Sequence, residues 1–299
     1  MIGVAASRPI LRTLRPRQWL KNALVFAAPA AAGVVTHRSA LAHAAIAFVA
    51  FCLAASGTYC INDVLDREAD RRHPTKRNRP IASGLVSVPV AITLGVALLV
   101  GALAVSATAD RPKLAAVLAI YVGVTLAYST WLKHEPILDI GAVASGFVLR
   151  AIAGGVAVAV PLSNWFLIVA CFGSLFIVTG KREAELMLMG DEGRTTRQSL
   201  GAYTPTFLRY VRTVSSAVLI TGYCLWAFEN PVTRRQATST SGDIWFQLSI
   251  IPFVFGVLRY GLLVDAGQGG APEDVVLGDR TLQILGVCMM VLFAIGVYR

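Results

Sequence analysis

Apolar residues in this chain run in long unbroken stretches instead of alternating with polar ones, and the stretches recur along its whole length. A helix needs about 20 apolar residues to cross about 30 Å of hydrocarbon. Nine stretches near that size, each bounded by charge, Pro or Gly, are Trp19 to Val35, Ala40 to Ile61, Val86 to Thr108, Leu114 to Trp131, Leu138 to Val160, Asn164 to Gly180, Phe207 to Phe228, Ile244 to Leu263 and Thr281 to Tyr298. The pattern predicts an all-α, polytopic membrane protein of about nine transmembrane helices. No low-complexity linker or clear internal repeat divides the chain, so residues 1–299 are expected to form a single transmembrane domain.

Composition agrees. The chain has 299 residues, 56% hydrophobic and only 15% charged, where a soluble domain carries about 25% charge. Its formal charge of +10 would suit a nucleic-acid binder, but the charges sit in short connections between apolar runs and form no basic stripe or aromatic platform. They sort by side instead. The N-terminus, the even-numbered connections and the span ends beside them hold 20 of the 27 Lys and Arg. The other side has six, and Arg150 falls inside a span. Basic residues favour the cytoplasmic side, so the N-terminus is expected in the cytoplasm of a plasma (inner) membrane protein. Fourteen of the 17 acids fall on that same side. Arg8, Arg12, Arg15 and Arg17 ahead of Ala28-Pro29-Ala30 resemble a signal peptide, yet a first span serving as an uncleaved anchor is the reading we adopt. The five cysteines have no metal-ligand or CxxC spacing and are expected to be core thiols.

The second span ends in Asn62-Asp63-Val64-Leu65-Asp66-Arg67-Glu68-Ala69-Asp70. On a helix, Asp63, Asp66 and Asp70 fall within an arc of about 60°, and like charges so close repel unless a cation lies between them. Mg²⁺ suits the set because it takes carboxylate oxygens and keeps positions for substrate phosphates. An exposed helix whose acids are neutralised by Arg67, Arg71 and Arg72 is the alternative. Directly downstream, His73-Pro74-Thr75-Lys76-Arg77-Asn78-Arg79-Pro80-Ile81-Ala82-Ser83-Gly84 forms a cationic stretch suited to phosphate. Together the two segments resemble the UbiA superfamily of intramembrane prenyltransferases, whose first aspartate-rich motif precedes a similar [KR]-x-R-P-[IL]-x-x-G stretch.

In most of that superfamily a second motif, D-x-x-x-D, follows a later span and binds a second Mg²⁺ on the diphosphate of a prenyl donor. The corresponding position here reads Lys181-Arg182-Glu183-Ala184-Glu185, followed by Asp191-Glu192-Gly193-Arg194. One acid is retained at Glu185, and a cation replaces the first aspartate. That departure, with the opening Arg15-Pro16-Arg17-Gln18-Trp19-Leu20-Lys21-Asn22, resembles one branch in particular, the decaprenyl-phosphate phosphoribosyltransferases. There the donor is 5-phosphoribosyl-1-diphosphate, which carries an extra phosphate, and the lipid phosphate is the acceptor. Extra cations beside that polyanion make electrostatic sense.

The resemblance implies a Mg²⁺-dependent enzyme that transfers phosphoribosyl to a polyprenyl phosphate at the membrane, in arabinan precursor synthesis for a cell envelope. Asp63, Asp66 and Asp70 would hold the metal, aided by Asn62 and Glu185. Lys21, Asn22, Lys76, Arg79, Tyr128, Lys133, Lys181 and Arg182 are the candidates around substrate phosphates. Arg150, inside a span and three turns from Asp139, either reaches a lipid phosphate or belongs to an intramembrane ion pair. No nucleic acid is expected as a partner, and His73 and His134 have no metal-like spacing. Two alternatives stay open: a prenyltransferase joining a prenyl diphosphate to an aromatic acceptor, and an anionic-solute transporter.

Overall fold

The computed structural model describes residues 7–196, 201–229 and 241–298. Among the described residues there are helices and turns and no strand. Eight helices among the described residues are long and apolar enough to cross a membrane: α1 (Arg38–Leu65), α2 (Val88–Ala107), α3 (Pro112–Thr130), α4 (Leu138–Ala157), α5 (Asn164–Thr196), α6 (Pro205–Glu229), α7 (Ser241–Asp265) and α8 (Arg280–Tyr298). The chain is a multi-pass membrane protein.

These helices coincide with eight of the nine predicted spans. The first differs. Of Trp19 to Val35, the part up to Ala31 forms a 3₁₀ helix, Pro16–Phe26, that runs into the short α-helix Ala27–Ala31, and the last four residues are non-helical. Arg15, in left-handed conformation (φ 52°, ψ 59°), and Pro16 begin the tighter coil. At about 2.0 Å per 3₁₀ residue and 1.5 Å per α residue the two pieces together rise about 30 Å, one hydrocarbon thickness.

Two compact units divide the residues. The first takes those up to 30, 34–133 and 149–161; the second takes 31–33, 134–148 and 162 onward. In the first, α1 is the central helix, and its buried face is mostly small: Ala44, Ala47, Ala50, Ala54, Ala55 and Gly57. Small residues let helix backbones approach where lipid supplies no hydrophobic drive between them. A Cβ at Gly57 would stand 2.8 Å from the Gly95 carbonyl of α2. The 3₁₀ segment presses on α4 as closely, since a Cβ at Gly154 would stand 1.9 Å from the Val25 carbonyl. Phe51, Leu114, Leu118 and Tyr121 fill the remaining core.

In the second unit, Tyr223, Trp226, Phe246, Phe253 and Phe293 of α6, α7 and α8 form an aromatic core, with Trp226 stacked on Phe293 at 5.6 Å. Asp279 caps α8 by accepting the Leu282 N–H at 2.8 Å, and it pairs with Arg259 at 2.7 Å. At 33 residues, α5 rises about 50 Å, of which only Asn164–Met187 is apolar enough for lipid. The polar string Lys181 to Glu185 therefore lies at the C-terminal end of that span, with the helix continuing beyond it to Thr196. Cys52 and Cys60 are buried as expected, whereas Cys288 lies on the exposed face of α8.

Candidate active site

In the first unit the aspartate-rich string does not continue as one helix. α1 stops at Leu65, Asp66 adopts φ −86° and ψ 0°, and a short helix resumes at Arg67–Arg72. The break separates the three carboxylates. Asp63 Oδ1 accepts from Arg15 Nη2 at 2.6 Å and from Arg79 Nη1 at 3.3 Å, and the same Arg79 nitrogen donates to Asp70 Oδ2 at 2.6 Å. Asp66 turns elsewhere, taking Lys133 Nζ at 2.5 Å on Oδ1 and the Asn62 amide at 3.1 Å on Oδ2. The structure thus brings Asp63 and Asp70 together around Arg79, and Asp66 together with Asn62 and Lys133. It adds Arg15, whose guanidinium lies 4.8 Å over the Tyr59 ring. Asp63 and Asp70 are buried, with their guanidinium partners on the more exposed side.

The chemistry of this donor set fits Mg²⁺. Its oxygens are hard carboxylate oxygens, and two of the acids already converge on one positive centre, the Arg79 guanidinium. Among the described residues no group of three acidic, His or Cys side chains stands gathered as a finished cage. Arg79 donates from one nitrogen to both Asp63 and Asp70, the acids that would help hold a divalent ion.

The remaining first-unit candidates surround this core. Lys76 lies in the 3₁₀ turn Lys76–Asn78. His73 organises that turn, its Nδ1 accepting the N–H groups of Thr75 at 3.3 Å and Lys76 at 3.4 Å. Burial, and then the Lys76 charge, hold the imidazole pKa below its ordinary 6.5, so the ring is a neutral acceptor at pH 7. Lys21 Nζ donates to Gln18 at 2.6 Å, and Tyr128 is half-buried near the end of α3. Asn22 and Arg150 are both buried and meet each other, Arg150 Nε donating to Asn22 Oδ1 at 2.7 Å and Nη2 to the Tyr121 hydroxyl at 2.9 Å. The Phe51 ring, 5.8 Å from the guanidinium, adds a cation–π contact. Through these contacts Arg150 ties the 3₁₀ segment to α3 and α4.

The second unit carries the other string. Lys181 Nζ lies 3.8 Å from Glu185 Oε1, and Arg182 Nη1 donates to Glu185 Oε2 at 2.8 Å. Arg182 is buried, with its Nε 3.2 Å from Asp139 Oδ2. Asp139 in turn accepts the Tyr203 hydroxyl at 2.5 Å. Glu183, fully buried, takes Arg212 at 2.8 Å, and Arg212 also binds Asp265. The side chains of Asp191, Glu192 and Arg194 lie outside the described residues.

Sequence reasoning passed over Arg15, Tyr203 and the Glu183–Arg212 pair as site residues. Arg15 had a signal, standing in the opening string on which the resemblance rests. Tyr203 meets Asp139 across 64 positions and had none.

Comparison with known proteins follows the same lines. Residues 23–285 match the UbiA prenyltransferase family. The chain is 45% identical over 292 residues to the decaprenyl-phosphate phosphoribosyltransferase of Corynebacterium glutamicum, covering 97% of this chain and 86% of that protein. It is 48% identical over 286 residues to the Mycobacterium tuberculosis protein of the same name, covering 93% and 90%. In fold it is similar to a UbiA homologue from Archaeoglobus fulgidus bound to GPP and Mg²⁺, with a TM-score of 0.74, 18% identity, and 96% and 98% of the two chains covered. The chain belongs to the UbiA prenyltransferase family.

Proposed function

We propose that this protein transfers the 5-phosphoribosyl group of phosphoribosyl diphosphate to a polyprenyl phosphate and releases pyrophosphate. The observation that carries the reading is the 45–48% identity, over nearly the whole chain, to proteins named decaprenyl-phosphate phosphoribosyltransferase. The charge pattern supports it, because cations accompany the carboxylates in both units.

A bound Mg²⁺ on Asp63, Asp66 and Asp70 would supply Lewis-acid stabilisation of the charge growing on the leaving diphosphate. Arg15, Arg79 and Lys133 neutralise the same carboxylates and have donors to turn toward phosphate oxygens. Lys21, Lys76 and Lys181 are the further donor-phosphate contacts. The acceptor monoester is already anionic near neutral pH, so its oxygen attacks C1 without a general base. As that C–O bond forms, the bond to the diphosphate breaks. Attack opposite the leaving group inverts the anomeric centre and gives a β-linked product. With the N-terminus cytoplasmic, the site meets a cytosolic sugar donor and a lipid held in the bilayer.

Incubating purified protein with labelled phosphoribosyl diphosphate, decaprenyl phosphate and Mg²⁺ should give labelled lipid and one pyrophosphate per transfer. Transfer of a prenyl group to an aromatic acceptor would replace this reading with ordinary prenyltransferase chemistry, and solute uptake into proteoliposomes without lipid labelling would replace it with transport. Single cysteines at positions 76 and 111 in a cysteine-free background test orientation. Position 111 should label from outside intact cells and position 76 only after permeabilisation.

A further inference from the structure

We propose that Tyr203, Asp139 and Arg182 are positioning residues that hold Glu185 in one orientation and leave Lys181 as the donor-phosphate contact of this string. The proposal rests on the phosphoribosyl-transfer reading. Its first support is the continuity of the contacts. The Tyr203 hydroxyl accepts the Ile137 N–H and donates to Asp139 Oδ1 at 2.5 Å. Asp139 Oδ2 faces Arg182 Nε at 3.2 Å, and Arg182 Nη1 donates to Glu185 Oε2 at 2.8 Å. The other Glu185 oxygen faces Lys181.

The second support is the gradient of exposure along this series. Side-chain exposure rises from 1% at Asp139 and 5% at Arg182 to 26% at Glu185 and 41% at Lys181. A soluble polyanion reaches the outer end of such a series. Arg182, enclosed by two carboxylates, would have to abandon them to meet a phosphate, so its charge serves Glu185.

The third support is the backbone at the inner end. Ile137 has φ 70°, a left-handed conformation in which a β-branched residue is a true outlier. Such residues persist where their surroundings over-determine them, and they cluster at functional sites. Here Tyr203 supplies that restraint through the Ile137 N–H, with its own ring stacked on Phe207 at 5.9 Å. Burial, reinforced by Asp139, pushes the phenol pKa up, so the hydroxyl keeps its proton and remains a donor.

The test is a double-mutant cycle on the donor dissociation constant, measured by calorimetry with full-length protein in detergent. Tyr203→Phe keeps the stacked ring and removes only the hydroxyl. It should weaken phosphoribosyl diphosphate binding about tenfold, raise the donor KM in step, and leave the acceptor KM alone. In a Glu185→Gln background the same change should cost less than about twofold, because groups acting through one another are not additive. Asp139→Asn serves as the second entry to the cycle if Tyr203→Phe does not fold. Additive losses, or equal losses in donor and acceptor use, would overturn the positioning role. Wild-type protein that fails to transfer phosphoribosyl in the same preparation would instead strike the functional reading.

Discussion

The two acid–cation clusters of this protein use the same residue types in opposite order from the interior outward. In the first unit two carboxylates are inside: Asp63 is 3% and Asp70 5% exposed, and the Arg79 that covers both is 26% exposed, whereas Asp66 is more exposed than its partner Lys133. In the second a cation is inside, Arg182 between Asp139 and Glu185, with the other Glu185 oxygen facing Lys181. The order matters for ligand exchange. An outer guanidinium can swing to an incoming phosphate while another cation takes its place on the acids, so the first cluster is built to trade partners. An inner guanidinium has nowhere to go, so the second cluster is built to hold a carboxylate still.

The sharpest way to break this comparison is to remove the bridging guanidinium from each cluster, outer in the first and inner in the second. Deleting one partner of a buried pair costs about 3–5 kcal/mol because it strands the other charge. Arg182→Ala removes the buried cation that stands between Asp139 and Glu185, so it should lower unfolding stability in detergent by about that amount. Arg79→Ala leaves Asp63 with Arg15 but takes its guanidinium partner from Asp70; because Arg79 lies nearer solvent, water can reach the vacated position, and the stability cost should be smaller, about 1–2 kcal/mol. Equal losses in thermal or denaturant unfolding would show that the inside-out order has no mechanical meaning.

The first cluster's capacity to exchange partners can be read separately. Asp63→Asn removes the acid that both Arg15 and Arg79 engage. Lewis-acid stabilisation amounts to several kcal/mol, so phosphoribosyl transfer should fall roughly 100- to 1000-fold, and excess chelator should abolish wild-type transfer. A second readout needs no turnover. Because a ligand that binds only the native state raises its stability, Mg²⁺ should raise the unfolding temperature of wild type and not of Asp63→Asn. Equal protection of both proteins would take the metal away from Asp63.

How far the sequence reveals this arrangement depends on the distance over which each feature is determined. The spans are legible because lipid imposes apolar length locally, and eight of them stand where the pattern places them. The ninth is obscured because a 3₁₀ coil has the same composition as an α-helix, and only Arg15-Pro16 hints at it. The acids of the first motif are legible as a group. Their separation is not, since Asp63, Asp66 and Asp70 keep helical spacing and no Gly or Pro marks the break at Asp66. What pulls Asp66 aside is Lys133, 67 positions away. Arg150 and Asn22 are both recognisable as unusual, yet only the fold makes them partners, across 128 positions.

Within the second cluster the comparison predicts unequal roles for adjacent cations. Lys181, at the outer end, should contribute through the donor alone. Its loss in Lys181→Ala should weaken donor use at least about tenfold, the lower end for a charge-assisted phosphate contact, while unfolding stability stays within about 0.5 kcal/mol of wild type. Separate titrations of donor and polyprenyl phosphate check this. A collapse confined to the acceptor would move Lys181 to the lipid side of the reaction.

The smallest effect should come from the turn that carries the outer cation of the first cluster. His73 Nδ1 accepts two successive N–H groups of the loop leading to Arg79, and Arg71 Nε fastens the far side of that loop to the Ala82 carbonyl at 2.9 Å. The His73 contacts are long, at 3.3 and 3.4 Å, and the loop is half-exposed, so water can replace a lost acceptor. His73→Ala should therefore cost roughly 0.5–1 kcal/mol, seen as a two- to fivefold rise in donor KM with little change in unfolding temperature. Asn at this position, whose side-chain carbonyl can accept the same N–H groups in an Asx turn, should restore most of the loss. If Ala and Asn are equally impaired, the imidazole does more than shape the turn; if both equal wild type, Arg71 and the chain itself hold Arg79 in place.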